Sequence, residues 1–328
     1  MASGDSGNAS PQSGRKYGAA TITGAIVSTV LALAVFLVTF YIKVTPPAAR
    51  SPSPTSTATA QTVSCASGSL ELAGSTAFLP IAQAAANVYM SDCPGAAITV
   101  SGGESAFGLA ELGRAAASHP LAAGSIIAMY DGLPPAADAA GLEQYPIGVL
   151  ILSVVAHTGL FPGSNISAGE LRKIFTQPGE AGIVAAGLQA GSGTRQAFFA
   201  NVLGLSPSSP EETSCPPPAG LTGCTEDSNV GLLSFVNETA NAVGYAEVLQ
   251  PATGYANVSV ISIDGIAPTP ANVLDGTYGF WMVEHLYTAA HPSTLAKEFL
   301  DFLPHYIESN PSRGLIGCSS AVKGFQDC

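Results

Sequence analysis

Apolar positions are distributed along this chain in two different ways. From Tyr17 to Ile42 they form one run without a charged residue, preceded by Arg15 and Lys16 and closed by Lys43. A bilayer core takes roughly 20 apolar residues to cross. The run therefore predicts a transmembrane anchor over 17–43, with a cytoplasmic tail at 1–16. A secretory signal has a shorter apolar region, about 7–15 residues. Pro47-Ala48-Ala49 offers a small-residue cleavage site, and an uncleaved anchor is the preferred reading. No cysteine follows the run closely, which argues against a lipoprotein anchor. Lys43 and Arg50 balance Arg15 and Lys16, so the basic residues do not fix the orientation. The short tail and the cysteine-containing body favour a body outside the cytoplasm. Residues 44–63 are Pro, Ser, Thr and Ala in near alternation. Such a segment cannot bury a core and reads as an extended tether.

From residue 64 to 328 the apolar positions come in short bursts separated by Gly, Ser and Pro. Leu70–Ala73, Ala97–Val100, Ser125–Met129, Tyr145–Val155 and Gly244–Val248 read as strands. Pro80–Tyr89, Ala106–Ala117, Ser167–Phe175, Gln196–Leu203, Asn229–Thr239 and Pro292–Leu303 carry helical periodicity. Ser167 followed by Glu170 is a capping box, and Ser293 is positioned to cap the last helix. Strands alternating with helices predict an α/β fold with largely parallel sheets.

Composition narrows the chemistry. The formal charge is −12, with 11 Lys and Arg and no basic stripe, which argues against a nucleic-acid partner. Cys65, Cys93, Cys215, Cys224, Cys318 and Cys328 include no Cys-x-x-Cys pair, which argues against zinc or another metal. An even count outside the membrane suggests disulfides, and six cysteines allow 15 pairings. Proximity favours Cys215–Cys224 and Cys318–Cys328, leaving Cys65–Cys93. Buried free thiols are the alternative. An enzyme is not expected. Ala190 stands where Gly-x-Ser-x-Gly needs its first glycine, and the five histidines have no metal-ligand spacing. No nucleotide-binding Gly-x-x-x-x-Gly-Lys or other cofactor motif occurs.

Three loops after strands combine glycine with hydroxyl residues: Gly74-Ser-Thr-Ala77, Gly102-Gly-Glu-Ser-Ala106 and Gly191-Ser-Gly-Thr194. Each precedes a helix, where free N–H groups and the positive dipole end attract anions. In open α/β sheets, ligands bind beyond the carboxyl ends of strands. Each loop is also explained as a helix cap without a ligand; three of them in this position point to one oxyanion.

As a set, these loops resemble a known family. Gly74-Ser-Thr-Ala-Phe-Leu-Pro-Ile81, Ile98-Thr-Val-Ser-Gly-Gly-Glu-Ser105, Glu170-Leu-Arg-Lys-Ile-Phe175, Gly191-Ser-Gly-Thr-Arg195, Val243-Gly-Tyr245 and Asp275-Gly-Thr-Tyr278 with Leu286-Tyr287 carry the resemblance. It is to the phosphate-binding substrate-binding proteins of phosphate ABC transporters, with a type II periplasmic-binding-protein fold. The resemblance implies two α/β lobes, one over 64–147 plus 285–328 and the other over 148–284, with the anion in the interlobe cleft. It implies phosphate contacts from Thr76, Ala77, Ser105, Asp131, Ser192, Gly193, Thr194 and Arg195. Asp131 falls where some members use an aspartate to accept the proton of hydrogenphosphate. Two positions depart from the pattern: Leu188 stands where many members have arginine, and Glu104 where glycine is usual. Arg195 is then the remaining cation, as a ligand or as a structural helix residue. The implied function is a membrane-tethered protein that captures inorganic phosphate or a similar oxyanion for an ABC permease. The alternative is a non-transport descendant that senses another small anion or a protein.

Overall fold

The computed structural model describes residues 63–177, 182–206, 213–247, 254–311, 314–318, 325 and 328. The tail, anchor and tether expected up to residue 62 lie outside the described residues. Among those described, no helix is long and apolar enough to cross a membrane.

The described residues form eleven strands: β1 Gly68–Gly74, β2 Ala96–Gly102, β3 Ile126–Asp131, β4 Leu142–His157, β5 Asn165–Ile166, β6 Val184–Leu188, β7 Gly223–Glu226, β8 Ala242–Glu247, β9 Val258–Ile263, β10 Trp281–Ala289 and β11 Leu315–Gly317. The principal helices are α1 Leu79–Asp92, α2 Ser105–Ser118, α3 Ala168–Thr176, α4 Gly193–Ala197, α5 Asn229–Glu238 and α6 Thr294–Ser309. The capping box forms, with Ser167 accepting from the Glu170 N–H and Glu170 reaching back to Ser167. Ser293 caps α6 by accepting from Ala296.

The sheet order is β2-β1-β3-β10-β4-β8-β6-β7, with β11 and β9 also pairing with β4. Parallel pairing holds on both flanks, as expected. The centre is antiparallel because β4 and β10 carry the chain from one flank to the other and back. Their directions bring the site together. β3 runs the same way as β4 and ends with Asp131 opposite Glu284, which itself pairs with Gly148 of β4. β8 runs against β4 and ends with Glu247 opposite Leu152. β6, parallel to β8, therefore also points its carboxyl end at the middle of β4. Strand ends from both flanks meet over that midpoint, where one ligand can touch both.

Ile147 to Ala156 of β4 are all buried, so the crossing strand is also the spine of the core. One apolar cluster runs from Leu72 and Phe78 through Val149–Val155 to Phe198 and Tyr245. A smaller one, built on Leu109, Leu112, Tyr130 and Tyr287, lies under α2. Three disulfides close the body, Cys65–Cys93, Cys215–Cys224 and Cys318–Cys328, the pairs that proximity favours.

One helix differs from the sequence reading. Gln196–Leu203 is not a single regular helix: α4 ends at Ala197 and a wider π-type turn follows over Phe198–Val202. Both Phe198 and Phe199 are buried there, and Phe198 stacks on Tyr245 with ring centroids 4.2 Å apart. Adjacent residues on a regular helix point about 100° apart, and the wider turn lets both rings reach the core.

Candidate functional site

The site is built around Asp131, at the carboxyl end of β3 and almost fully buried. One carboxylate oxygen accepts a short hydrogen bond from Ser75 Oγ, on the loop after β1. The other accepts from Thr194 Oγ1 at 3.1 Å, on the first turn of α4. The Asp131 N–H donates to Ser105 Oγ at 3.2 Å, at the start of α2. Hydroxyls from three strand-to-helix loops thus surround one buried acceptor. A carboxylate has about four lone-pair sites, so these two bonds leave acceptor capacity for a ligand O–H.

Other contacts join the flanks beside Asp131. Thr76 Oγ1 accepts from the Asn229 peptide N–H at 3.3 Å and from Asn229 Nδ2 at 2.9 Å. The Ala106 N–H donates to the Gly191 carbonyl at 3.3 Å. Gly193 lies directly against the Asp131 backbone, where a Cβ would meet the Asp131 Cβ at 2.5 Å. A groove of about 560 Å³ opens beside Thr76, between Gly103, Glu104 and Phe107 on one side and Gln189, Asp227, Ser228 and Val230 on the other.

Each expected residue has a definite place. Thr76, Ser105, Asp131, Gly193 and Thr194 are brought together, and Ala77 is buried at the turn into α1. Ser192 is the N-cap of α4, its hydroxyl accepting from the Arg195 N–H. The Arg195 guanidinium is used inside its own flank. It donates to the Leu188 carbonyl at 2.7 Å and lies 5.5 Å from the Phe199 ring centroid. The Leu188 N–H is held by the Tyr245 hydroxyl at 3.0 Å, which gives the Val243-Gly-Tyr245 motif its role. Ser75, Asn229 and Glu284 were not expected. Ser75 has the same hydroxyl-glycine signal as Thr76, while nothing in the local sequence marks the other two.

The surroundings are acidic. Burial, then the charge of Asp227, pushes Glu226 above the ordinary carboxylate range. Glu284 is pushed well above it, by burial first and then by Asp131. Among the described residues, no group of His, Cys, Asp and Glu is arranged to hold a metal.

The model of the PBP superfamily domain matches residues 59–304. The phosphate-binding protein PstS of Bacillus subtilis (strain 168) is 32% identical over 252 residues, covering 73% of this chain and 76% of that protein. The chain belongs to the PstS family within the PBP superfamily. Solved structures support the fold. A Clostridium perfringens protein assigned to phosphate ABC transport and crystallised with bound phosphate superposes with a TM-score of 0.62 at 24% identity, over 76% of this chain and 99% of that one. An ABC-type phosphate transport receptor from Vibrio cholerae gives 0.54 at 22%, over 75% and 99%.

This PstS-family chain is strained at Glu104, with φ 70 and ψ 155 just before α2. That region is open essentially only to glycine and costs a side-chain-bearing residue on the order of 1–3 kcal/mol. The unusual residue thus stands in a backbone conformation made for the usual one. Glu104→Gly is expected to stabilise the protein by about 1 kcal/mol, the strain relief being partly offset by the entropy of glycine in the unfolded chain. Urea unfolding of the two proteins measures this; an unchanged or lower midpoint would contradict it.

Proposed function

We propose that this protein captures inorganic phosphate in the cleft between its two flanks and delivers it to an ABC permease. The observation that carries the reading is the convergence of Ser75, Ser105 and Thr194 on buried Asp131 from three helix-initiating loops. Membership of the PstS family supports the same ligand. Thr76, the Ala77 N–H, Ser105, Ser192, Gly193 and Thr194 would satisfy the phosphate oxygens. Asp131 would accept the proton of hydrogenphosphate. Arg195 would act through the loop, by holding the Leu188 carbonyl. Charge-assisted hydrogen bonds of this kind are short and strong, and N–H groups at the heads of α1, α2 and α5 add positive potential without a cation. The protein would work as a binding protein, not as an enzyme.

In this proposal the lobes are 64–147 plus 285–328 and 148–284, hinged on β4 and β10. The run over 17–43 would anchor the body outside the cytoplasm, with 44–63 as tether and 1–16 as tail. Protease shaving of intact cells tests the topology: the body should be cleaved without lysis.

Acceptor-only Asp131 would reward a protonated oxyanion and reject sulfate, because two facing acceptors leave a buried group unpaired. Asparagine presents a donor as well. Asp131→Asn is therefore expected to weaken phosphate binding by about ten- to hundredfold and to narrow the gap to sulfate. Calorimetry on full-length protein stripped of ligand measures both anions. If wild type gives no heat with phosphate, Leu188 and the carboxylates at Glu104 and Asp227 point instead to a descendant that senses a different ligand.

A further inference from the structure

Glu284 is a fully buried carboxyl that the binding scheme does not use. It stands on β10 directly opposite Asp131 of β3, and opposite Gly148 of β4 on its other side. Directly opposed residues have Cβ atoms about 4.5–5.5 Å apart, so the two carboxyls are neighbours. Among the described residues, neither Glu284 oxygen has a hydrogen-bond donor of good geometry.

Among the described residues, the groups around it offer no counter-charge. On β3 the neighbour is Asp131; Tyr130 stands opposite His285 and shares its side of the sheet, against the Tyr287 ring. On β4 the neighbour is Gly148, with no side chain. His285 is next along β10 and therefore faces the other side of the sheet, near the Tyr287 ring. α4 contributes Thr194, bonded to Asp131, and Arg195, whose guanidinium is engaged at the Leu188 carbonyl. The loop after β1 contributes Ser75, also bonded to Asp131.

Two adjacent buried carboxyls cannot both ionise cheaply, so the pair holds a proton. Asp131 receives two hydroxyl donors, and Glu284 receives none of comparable quality. The proton therefore belongs on Glu284. We infer that Glu284 is a positioning residue of the anion cleft: as a neutral acid it donates a hydrogen bond to Asp131 and keeps Asp131 an ionised acceptor for the ligand proton. Burial, and then Asp131, raise Glu284 in the same sense, with the Tyr130 backbone opposing. When alkaline pH removes the proton, a second negative charge forms beside Asp131 and repels the anion.

The ligand side of this inference rests on the phosphate reading, so the test has one arm without ligand. In full-length protein with glutamate labelled at the carboxyl carbon, NMR should show one carboxyl still protonated at neutral pH and missing from Glu284→Gln. If every glutamate is ionised at neutral pH, the inference fails. The second arm is phosphate calorimetry from acidic to alkaline pH. Glutamine keeps a neutral donor that cannot titrate. Glu284→Gln should bind within about threefold of wild type at neutral pH, and wild type should lose about tenfold more affinity than the variant on going alkaline. Glu284→Leu, which has no donor, should bind more weakly than both at neutral pH. Parallel pH profiles for wild type and Glu284→Gln, or no advantage of Gln over Leu, would overturn the positioning role. If wild type binds no phosphate at any pH, the phosphate reading fails, and the NMR arm still decides where the proton lies.

Discussion

Exchange of Gly193 for alanine is expected to weaken phosphate binding at least about a hundredfold while leaving the fold as stable as before. Gly193 begins α4 with Ser192 as its cap, and its backbone is not in the left-handed region. Alanine is therefore at no local disadvantage, and in a helix it is favoured over glycine by roughly 0.5–1 kcal/mol. The obstacle is across the cleft. A Cβ at this position would lie 2.9 Å from the Asp131 carbonyl carbon and closer still to its oxygen and Cβ. Asp131 cannot yield, because it is the last residue of β3 and is paired with Glu284 of β10. The methyl group must hold the flanks apart, and donors on the α4 side then fall short of an anion held by the other flank. Losing two hydrogen bonds to a charged ligand removes on the order of 3–6 kcal/mol, which corresponds to more than about a hundredfold in affinity. Urea unfolding and phosphate calorimetry on the same preparation separate the two effects. Retained affinity would mean that the flanks need not come this close in the bound state.

The elements of this fold were legible because their signals are local. The Ser167/Glu170 box and the Ser293 cap depend on residues three apart, and both form. The buried run in β4 needed only its own composition. Much of the candidate site was legible for a similar reason, since three glycine-hydroxyl loops stand together at strand-to-helix junctions. What escaped depended on pairing between distant segments. Adjacent hydroxyls on one turn cannot be ranked from sequence; Ser75 turns toward Asp131 while Thr76 turns toward Asn229. Asn229 enters from the opposite flank, at the head of α5, with no glycine beside its cap to mark it. Glu284 faces Asp131 only through the β3–β10 register, and a slip of one residue would have placed His285 there instead. Leu188, read as the loss of a cation, keeps its backbone in the network: its carbonyl receives Arg195 and its N–H the Tyr245 hydroxyl.

Removing the Cys65–Cys93 bridge as a paired serine variant is expected to give the largest stability loss of the three disulfides, without weakening the ligand site. The bridge closes a 28-residue separation, against 9 for Cys215–Cys224 and 10 for Cys318–Cys328. In the loop-entropy account it contributes about 3.5 kcal/mol, and the shorter two about 2.5 each. For a body of this size the loss corresponds to a melting shift of about 6 °C. The segment it pins does not rely on it alone: the Tyr89 hydroxyl donates to the Ser64 carbonyl at 2.9 Å and accepts from the Ala66 N–H at 3.2 Å. The fold should therefore survive the change and only melt earlier. The ligand loop is at the other end of the same helix. α1 begins at Leu79 beside the cleft, and Cys93 caps its far end 14 residues later. At 1.5 Å per residue that is roughly 20 Å, too far for serine at 65 and 93 to touch Ser75, Thr76 or Asp131. Calorimetry should give an unchanged phosphate affinity beside a lowered melting temperature. If affinity fell in step with stability, α1 would have to transmit the change along its length to the loop after β1, and the ligand loop would not be independent of the bridge.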